Sequence, residues 1–450
     1  MKYTEFKELV MTAAKAGGLT EYELYAEESE TISAETLGHE ISAFSSGNVT
    51  GACFRCISQG KIGYASTELY TASEAERLVH DAMENAAILE TEGEAYIHEP
   101  GDDYVKVEAP AVTVPSAQEL TDLAVKIVEA SYAADSRIID SSQSSTLFKQ
   151  SRTYLSNSKG LDLARENAYT MASSYPIAQD GEEMFSGFDT KAGDYHNLDP
   201  QAIAQKGVED AVSQIGAKAV PTGIYDVMFS NHVTAMLLGC YLSVFSAESA
   251  QKGMSRLGGK EGETVASPCV TLTDDPFCKE SLNKIAFDGE GVATRYKDVV
   301  KDGKLVTLLH NLTTAHKAGV PSTGNGVKAG YAAPVSIQPY NFYMQKGGGG
   351  TTEEMFAHLG DGIYITELNG MHAGANPVTG DFSLASAGFL VKDGKKGGPV
   401  KNFTVSGNFY QLLKDIVLVG DDWELRPPMR GGACYGGPSF IVREMSIGGK

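Results

Sequence analysis

At 450 residues and 47.9 kDa the chain is too long for one ordinary hydrophobic core, and length predicts two or three domains. Apolar residues at 42% and charged residues at 21% exclude a disordered chain, a coiled coil and a collagen-like fibre. With 37 basic and 58 acidic residues the net charge is −21, and no Lys/Arg-rich run offsets it, so direct nucleic-acid binding is excluded as the main function and anionic lipid is repelled.

No run of about 18 apolar residues exists, so no membrane span is expected. The start, Met1 to Lys7, has no long apolar core or small-residue cleavage site, so no secretory signal is read. Six sparsely spaced cysteines show no disulfide framework, and a cytoplasmic setting is the expectation. Glycine is enriched, at 49 residues, and many lie after residue 320, which predicts turn-rich β structure there.

Residues 3–16 read as a helix, with Phe6, Leu9, Val10 and Ala13 on one stripe. Residues 20–68 read as strands, broken by a turn at Ser45-Ser46-Gly47-Asn48 and another at Gln59-Gly60-Lys61. A helix over 73–88 follows, with Ser73 as its N-cap. Three prolines and a Gly-Asp-Asp run over 100–116 predict a linker. The order then recurs: helix over 117–134, strands over 137–190 with turns near Asn157–Gly160 and Asp180-Gly181, helix over 200–215. This suggests a duplicated helix–strands–helix unit. Beyond Pro221-Thr222-Gly223, residues 224–230 read as a strand and 231–248 as one apolar helix. From 266 onward short strands alternate with glycine turns, including Lys304–Leu309, Gly362–Leu368, Ala387–Lys392, Asp415–Val419 and Ser439–Met445. Gly347–Gly350 leads into a capped short helix at Thr351-Thr352-Glu353-Glu354. The expected fold is α+β, with a domain over residues 1–105, a central domain over 106–220 and a β-rich C-terminal domain over 221–450.

Motifs for chemistry are few. A helical zinc-peptidase site needs two histidines one turn apart and a Glu beside them as base. His39-Glu40 and His98-Glu99 lack the second His, His310 and His316 are six apart, and His232 has no partner on its helix. Cys53-Phe54-Arg55-Cys56 lies in a predicted strand, where the two thiols point to opposite faces. Cys434, in a glycine-rich loop, could bind metal or react. No Gly-x-Ser-x-Gly elbow, Walker loop or dinucleotide fingerprint occurs. Gly374–Ser383 packs Asn, Thr, Asp and Ser among glycines; it can satisfy itself by Asx turns or present donors and acceptors to a peptide backbone.

That loop, taken with Gly51–Thr67, Pro321–Gly326, Ala387-Gly388-Phe389 and the ending Glu444–Gly449, resembles the PmbA/TldD family, long named as modulators of DNA gyrase. The resemblance covers nearly the whole chain. It implies two branches: TldD-type chains similar to zinc metallopeptidases, with a His-Glu-x-x-x-His helix and a distant Cys ligand, and PmbA/TldE-type chains that lack the motif and pair with them. By hand alignment the motif's His, Glu and second His fall on Ser230, Asn231 and Ala235, none able to serve, and only Cys434 lies near the distant ligand. The implied chain is a non-catalytic subunit of a cytoplasmic metallopeptidase complex that degrades or trims unfolded peptides. It has no metal or catalytic residue of its own, zinc sits in a TldD-type partner, and the isolated chain is expected to form a homodimer. Asn325, Gly326, Asn376, Thr379, Gly380, Asp381 and Ser383 are the expected peptide-binding residues. Two alternatives stand beside this: an independent homodimeric peptidase with an unusual metal site from His232, His372 and Cys434, and a regulatory protein acting on gyrase.

Overall fold

The computed structural model describes residues 1–88, 96–108, 111–282, 284–427 and 432–450. The N-terminal half runs α1 (Tyr3–Ala16), β1 (Glu21–Leu37), β2 (Glu40–Ser58), β3 (Lys61–Thr67), α2 (Ala72–Ile88), α3 (Ala117–Ala134), β4 (Gln143–Asn157) and β5 (Asp162–Tyr175). A small hairpin, β6 (Ile177–Asp180) and β7 (Glu183–Ser186), precedes β8 (Asp189–Gly193) and α4 (Pro200–Ser213). The two helix–strands–helix units share one antiparallel sheet, ordered β3-β2-β1-β4-β5-β8, because β1 pairs along its length with β2 on one side and with β4 on the other.

Alternation sets the two faces of this sheet. Leu24, Ala26, Ala52, Phe54 and Cys56 turn toward the stripe Tyr3, Phe6, Val10 and Ala14 of α1 and the inner face of α2, while Ile32 and Phe148 meet Leu120 of α3. Cys53 and Cys56 point to opposite faces as expected, both as free buried thiols. α3 is fixed by a capping box: Glu119 N–H donates to Ser116 Oγ, and Ser116 N–H to the Glu119 carboxylate. α2 is capped two residues earlier than expected, by Thr71, whose hydroxyl accepts from Glu74 N–H. At Gly63 of β3 a Cβ would collide with the Ala82 carbonyl and with Ala86 of α2. Gly63→Ala is therefore expected to cost about 1–3 kcal/mol, read as a lowered unfolding midpoint, whereas Gly60→Ala in the adjoining turn meets no atom and costs only its backbone strain.

Two expectations change here. Ser45–Asn48 is not a turn. β2 passes straight through it, each residue paired with β1, and the turn lies at Gly38-His39, where Gly38 takes φ 60°. Residues 40–49 are consequently exposed throughout, and β3 reaches only as far as Ala52, so the outer edge of that stretch has no strand beside it among the described residues. The segment around 100–116 is also more than a spacer: Tyr104 donates to Gly291 O at 2.7 Å and Asp102 accepts from Ala293 N–H at 2.7 Å, strapping it to the C-terminal domain.

The C-terminal half begins with β9 (Gly223–Phe229), α5 (Asn231–Cys240) and α6 (Ala247–Gln251). The expected single helix over 231–248 breaks at Tyr241, whose ring stacks on Phe409 at 4.3 Å and whose hydroxyl bonds Asp381 O; Ser246 then caps a new helix. Then come β10 (Leu272–Asp274), β11 (Lys297–Lys301), β12 (Lys304–Leu305), α7 (Leu312–Ala318), β13 (Gly326–Lys328), β14 (Val335–Ile337) and β15 (Asn341–Met344). α8 (Thr352–Leu359) carries the expected Thr351/Glu354 capping box and leads to β16 (Gly362–Asn369), α9 (Met371–Gly374), β17 (Asp381–Lys392) and β18 (Lys395–Asn408). The chain ends with α10 (Phe409–Asp415), β19 (Ile416–Val419), β20 (Glu424–Arg426), β21 (Cys434–Gly437) and β22 (Phe440–Gly448). Of the expected strand Lys304–Leu309 only Lys304 and Leu305 form a strand, while Leu309 makes an isolated parallel bridge to Ser246. One sheet runs β18-β17-β16-β9-β22-β19, and a further β18–β22 pairing closes five of its strands into a barrel. A second sheet, β12-β11-β10-β15-β21-β20, lies across α5 from it. The fold is α+β, with a β-rich C-terminal domain. Among the described residues no helix is long and apolar enough to cross a membrane.

Candidate functional site

The open face of the N-terminal sheet meets the C-terminal domain. Tyr25, Leu155 and Leu161 pack on Phe287, and beside this contact lies a cavity of about 390 Å³. Strands β1, β4, β5 and β8 line one wall; β13, Tyr340, β20 and Cys434 line the other. The apolar contact and the cavity exist because β1, β4 and β5 alternate, so the residues not facing the helices face the second domain.

An ionic cluster at the same interface ties the halves together. Arg55 of β2 is 5% exposed and lies 3.0 Å from Glu23 of β1 and 3.4 Å from Glu290 of the C-terminal domain, both themselves buried. Burial works against the guanidinium charge, but Glu23 and Glu290 more than offset it. Burial pushes the Glu23 carboxyl up despite Arg55. Asp288 accepts backbone N–H groups from Glu290, Val292 and Gly326, yet burial and the neighbouring Glu290 push its carboxyl up. Lys328, over the Tyr25 ring at 5.1 Å, is pushed down by burial.

α5 starts where β9 leaves the barrel. Ser230 caps it, accepting from Val233 N–H at 3.2 Å. Asn231 spends its amide on the Asp422 carbonyl at 2.9 Å. Ala235 is buried and has no ligand atom. His232 faces the Glu424–Arg426 pair of β20, and burial, with Arg426 beside it, brings its imidazole down to about 4, so it is neutral at neutral pH. Burial pushes the Cys434 thiol up to about 11, so it is not a thiolate either. A zinc site needs three or four convergent N, S or O ligands. The residues at these positions do not fit a zinc ion. Nor are His232, His372 and Cys434 gathered: His372 is exposed on α9, and among the described residues the one group of three or more candidate ligands is His80, Asp81 and Glu84, on the outside of α2 and engaged with one another and Arg77.

The expected peptide-binding residues fall in two places, and neither group lines the cavity. Asn325 is fully buried: its amide donates to Asp274 at 2.8 Å and to Gln338 O at 2.9 Å, and its oxygen accepts from Thr323. Gly326 N–H is held by Asp288. Asn376 makes an Asx turn, accepting from Val378 and Thr379 N–H; Gly380 takes φ 84° and donates to Asn376 O; Asp381 accepts from Asn408, and Ser383 from Ser406. The 376–383 loop thus satisfies itself. Arg165, Tyr340 and Arg426, which do line the cavity, carry no sequence signal, since they lie far apart in the chain and are joined only by packing of the two domains.

Comparison with known proteins identifies the architecture. Residues 22–86, 111–215 and 222–449 match domain 1, the central domain and the C-terminal domain of the PmbA/TldA metallopeptidases. The chain is 27% identical over 337 residues to the metalloprotease PmbA of Escherichia coli O157:H7, covering 74% of this chain and 71% of that one. It is 27% identical over 425 residues to an uncharacterized protein of Methanocaldococcus jannaschii, covering 93% and 95%. A Thermotoga maritima protein named for modulation of a DNA gyrase superposes with a TM-score of 0.90 at 30% identity, covering 99% of this chain and 100% of that one. TldE from Thermococcus kodakarensis shares the fold, with a TM-score of 0.89 at 24% identity over 98% and 99%. From matched domains along nearly its whole length, the chain belongs to the PmbA/TldD metallopeptidase family.

Proposed function

We propose that this chain is the metal-free subunit of a cytoplasmic two-chain peptidase of this family. Its partner is a TldD-type chain whose His-Glu-x-x-x-His helix holds the zinc, and its substrates are unfolded peptides. The carrying observation is the start of α5. No His-Glu-x-x-x-His occurs in the 450 residues, and at the aligned positions a cap, an amide tied to a carbonyl and a methyl group stand where two ligands and a base are needed. The chain then contributes wall to the substrate chamber, holding extended peptide by main-chain hydrogen bonds along strand edges. In isolation it pairs with a second copy of itself.

The test is affinity capture of the tagged chain from its own cells, with zinc measured on the isolated chain and on the complex. The reading requires recovery of a His-Glu-x-x-x-His chain, zinc and peptidase activity in the complex, and neither in the isolated chain. Stoichiometric zinc in the isolated chain, with activity lost on chelation, would overturn it.

A further inference from the structure

We propose that the 390 Å³ interdomain cavity is a carboxylate-binding site whose ligand is held by Arg165 and Tyr340. Within the function proposed above, on which the choice of peptide rests, that ligand is the C-terminal end of a peptide.

Three of the buried polar atoms on residues lining the cavity have no hydrogen-bond partner: Arg165 Nη1, Arg426 Nε and the Tyr340 hydroxyl. Tyr340 is 6% exposed, so water does not readily replace the missing bond. All three can donate, and what they lack is an acceptor. Of the acids in the wall, Glu424 is engaged with Lys191 at 3.2 Å and Arg426 at 3.0 Å, Glu166 with Arg152 at 2.8 Å, and Glu280 accepts from the Cys278 thiol at 3.3 Å, while Glu27 stands on the β1 side of the cavity. Arg165 has no ion pair among the described residues. Its guanidinium lies over the Phe287 ring at 5.5 Å, and its Nη1 has no hydrogen-bond partner. A planar guanidinium with a free edge, beside a buried phenol, matches the two oxygens of a carboxylate. Arg165 and Tyr340 both line this one cavity. The volume is within the range of small-ligand pockets. The site is also specific against the background: in a chain of net charge −21, an anion is held only where cations have been left without partners.

The experiment is calorimetric titration of the full chain with three probes: an N-acetylated tripeptide with a free C-terminus, the same peptide amidated, and succinate. The free acid is expected to bind at least tenfold more tightly than the amide. Arg165→Gln should lose tenfold or more, Arg165→Lys should retain part of the affinity, and Tyr340→Phe should lose several-fold with an unchanged cooperative unfolding transition. Succinate binding as tightly as the peptide acid would keep the site and identify its ligand as a free small carboxylate. Equal binding of acid and amide, no binding of any probe, or full affinity in Arg165→Gln would each overturn the proposal. None of these outcomes depends on the partner chain, so failure here and failure of the capture experiment are separate results.

Discussion

Replacing Arg55 by methionine is expected to destabilise the chain by about 3–5 kcal/mol, because the change strands two buried carboxylates without their cation. Arg55 is the buried cation ion-paired to Glu23 on the N-terminal sheet and to Glu290 on the C-terminal domain, so the loss falls on their attachment as well as on each core. In thermal unfolding this should appear as a midpoint lowered by roughly ten degrees. Adding Glu23→Gln and Glu290→Gln should recover much of it, since an uncharged set needs no counter-ion. The deficit should also depend on pH. Burial already raises the Glu23 carboxyl in the folded state, and loss of Arg55 raises it further. A carboxyl with a raised folded pKa stabilises most below its unfolded value, near 4.3, and that contribution is lost as pH rises through the folded value. The gap between variant and parent should therefore narrow from pH 8 to pH 5. Asp288, whose carboxyl burial and Glu290 push up, adds the same sign to the parent, whose stability should fall as pH rises above neutrality. A variant with an unchanged midpoint at both pH values would remove this cluster from the account of domain attachment.

Asn325→Ala is expected to cost about 3–5 kcal/mol, from several partners at about 1–3 kcal/mol each for a buried group left unsatisfied. The amide bridges Asp274 and Gln338 O, and its oxygen holds Thr323; Asp274 is in turn 2.9 Å from the buried Lys297 and accepts from Tyr340 N–H. Removing the amide disturbs a network that reaches the cavity wall. Thr379→Ala, in the exposed loop, should change stability by about 0.5 kcal/mol or less. Chemical denaturation of the two variants separates a structural asparagine from a surface loop. If Asn325→Ala unfolded at the parent's midpoint, the network would be carrying nothing.

How much of this could be read from the sequence depends on whether a residue's role is local. The helices were legible because stripes such as Phe6–Val10 and caps such as Ser116 with Glu119 are written within a few residues of one another. The turn at Asn157–Gly160 was legible for the same reason. Ser45-Ser46-Gly47-Asn48 has the composition of a turn and runs as strand, because β1 supplies a partner at every position and pairing overrides local propensity. Asn325 sits in a Gly-Asn-Gly turn signal that gives no hint of burial at 0% exposure; only the packing of β10 and the segment after β14 creates that. The placing of Ser230, Asn231 and Ala235 at the motif positions comes from the family resemblance, not from any local pattern. The cavity was not legible, since Tyr25, Arg165, Tyr340 and Arg426 come from three strands and a loop that meet only after both domains have formed.

The bare outer edge of β2 has a consequence of a different kind, colloidal and not thermodynamic. From Ile41 to Phe54 there is no charged residue, and Leu37, Ile41, Phe44 and Val49 are 39–50% exposed. Proteins ordinarily guard such edges with lysine, proline or a covering loop, and among the described residues none of these stands at the open stretch. Ten residues of ready-made template are thus displayed to any passing strand, its own kind included. The chain made alone at high concentration is therefore expected to self-associate through that edge.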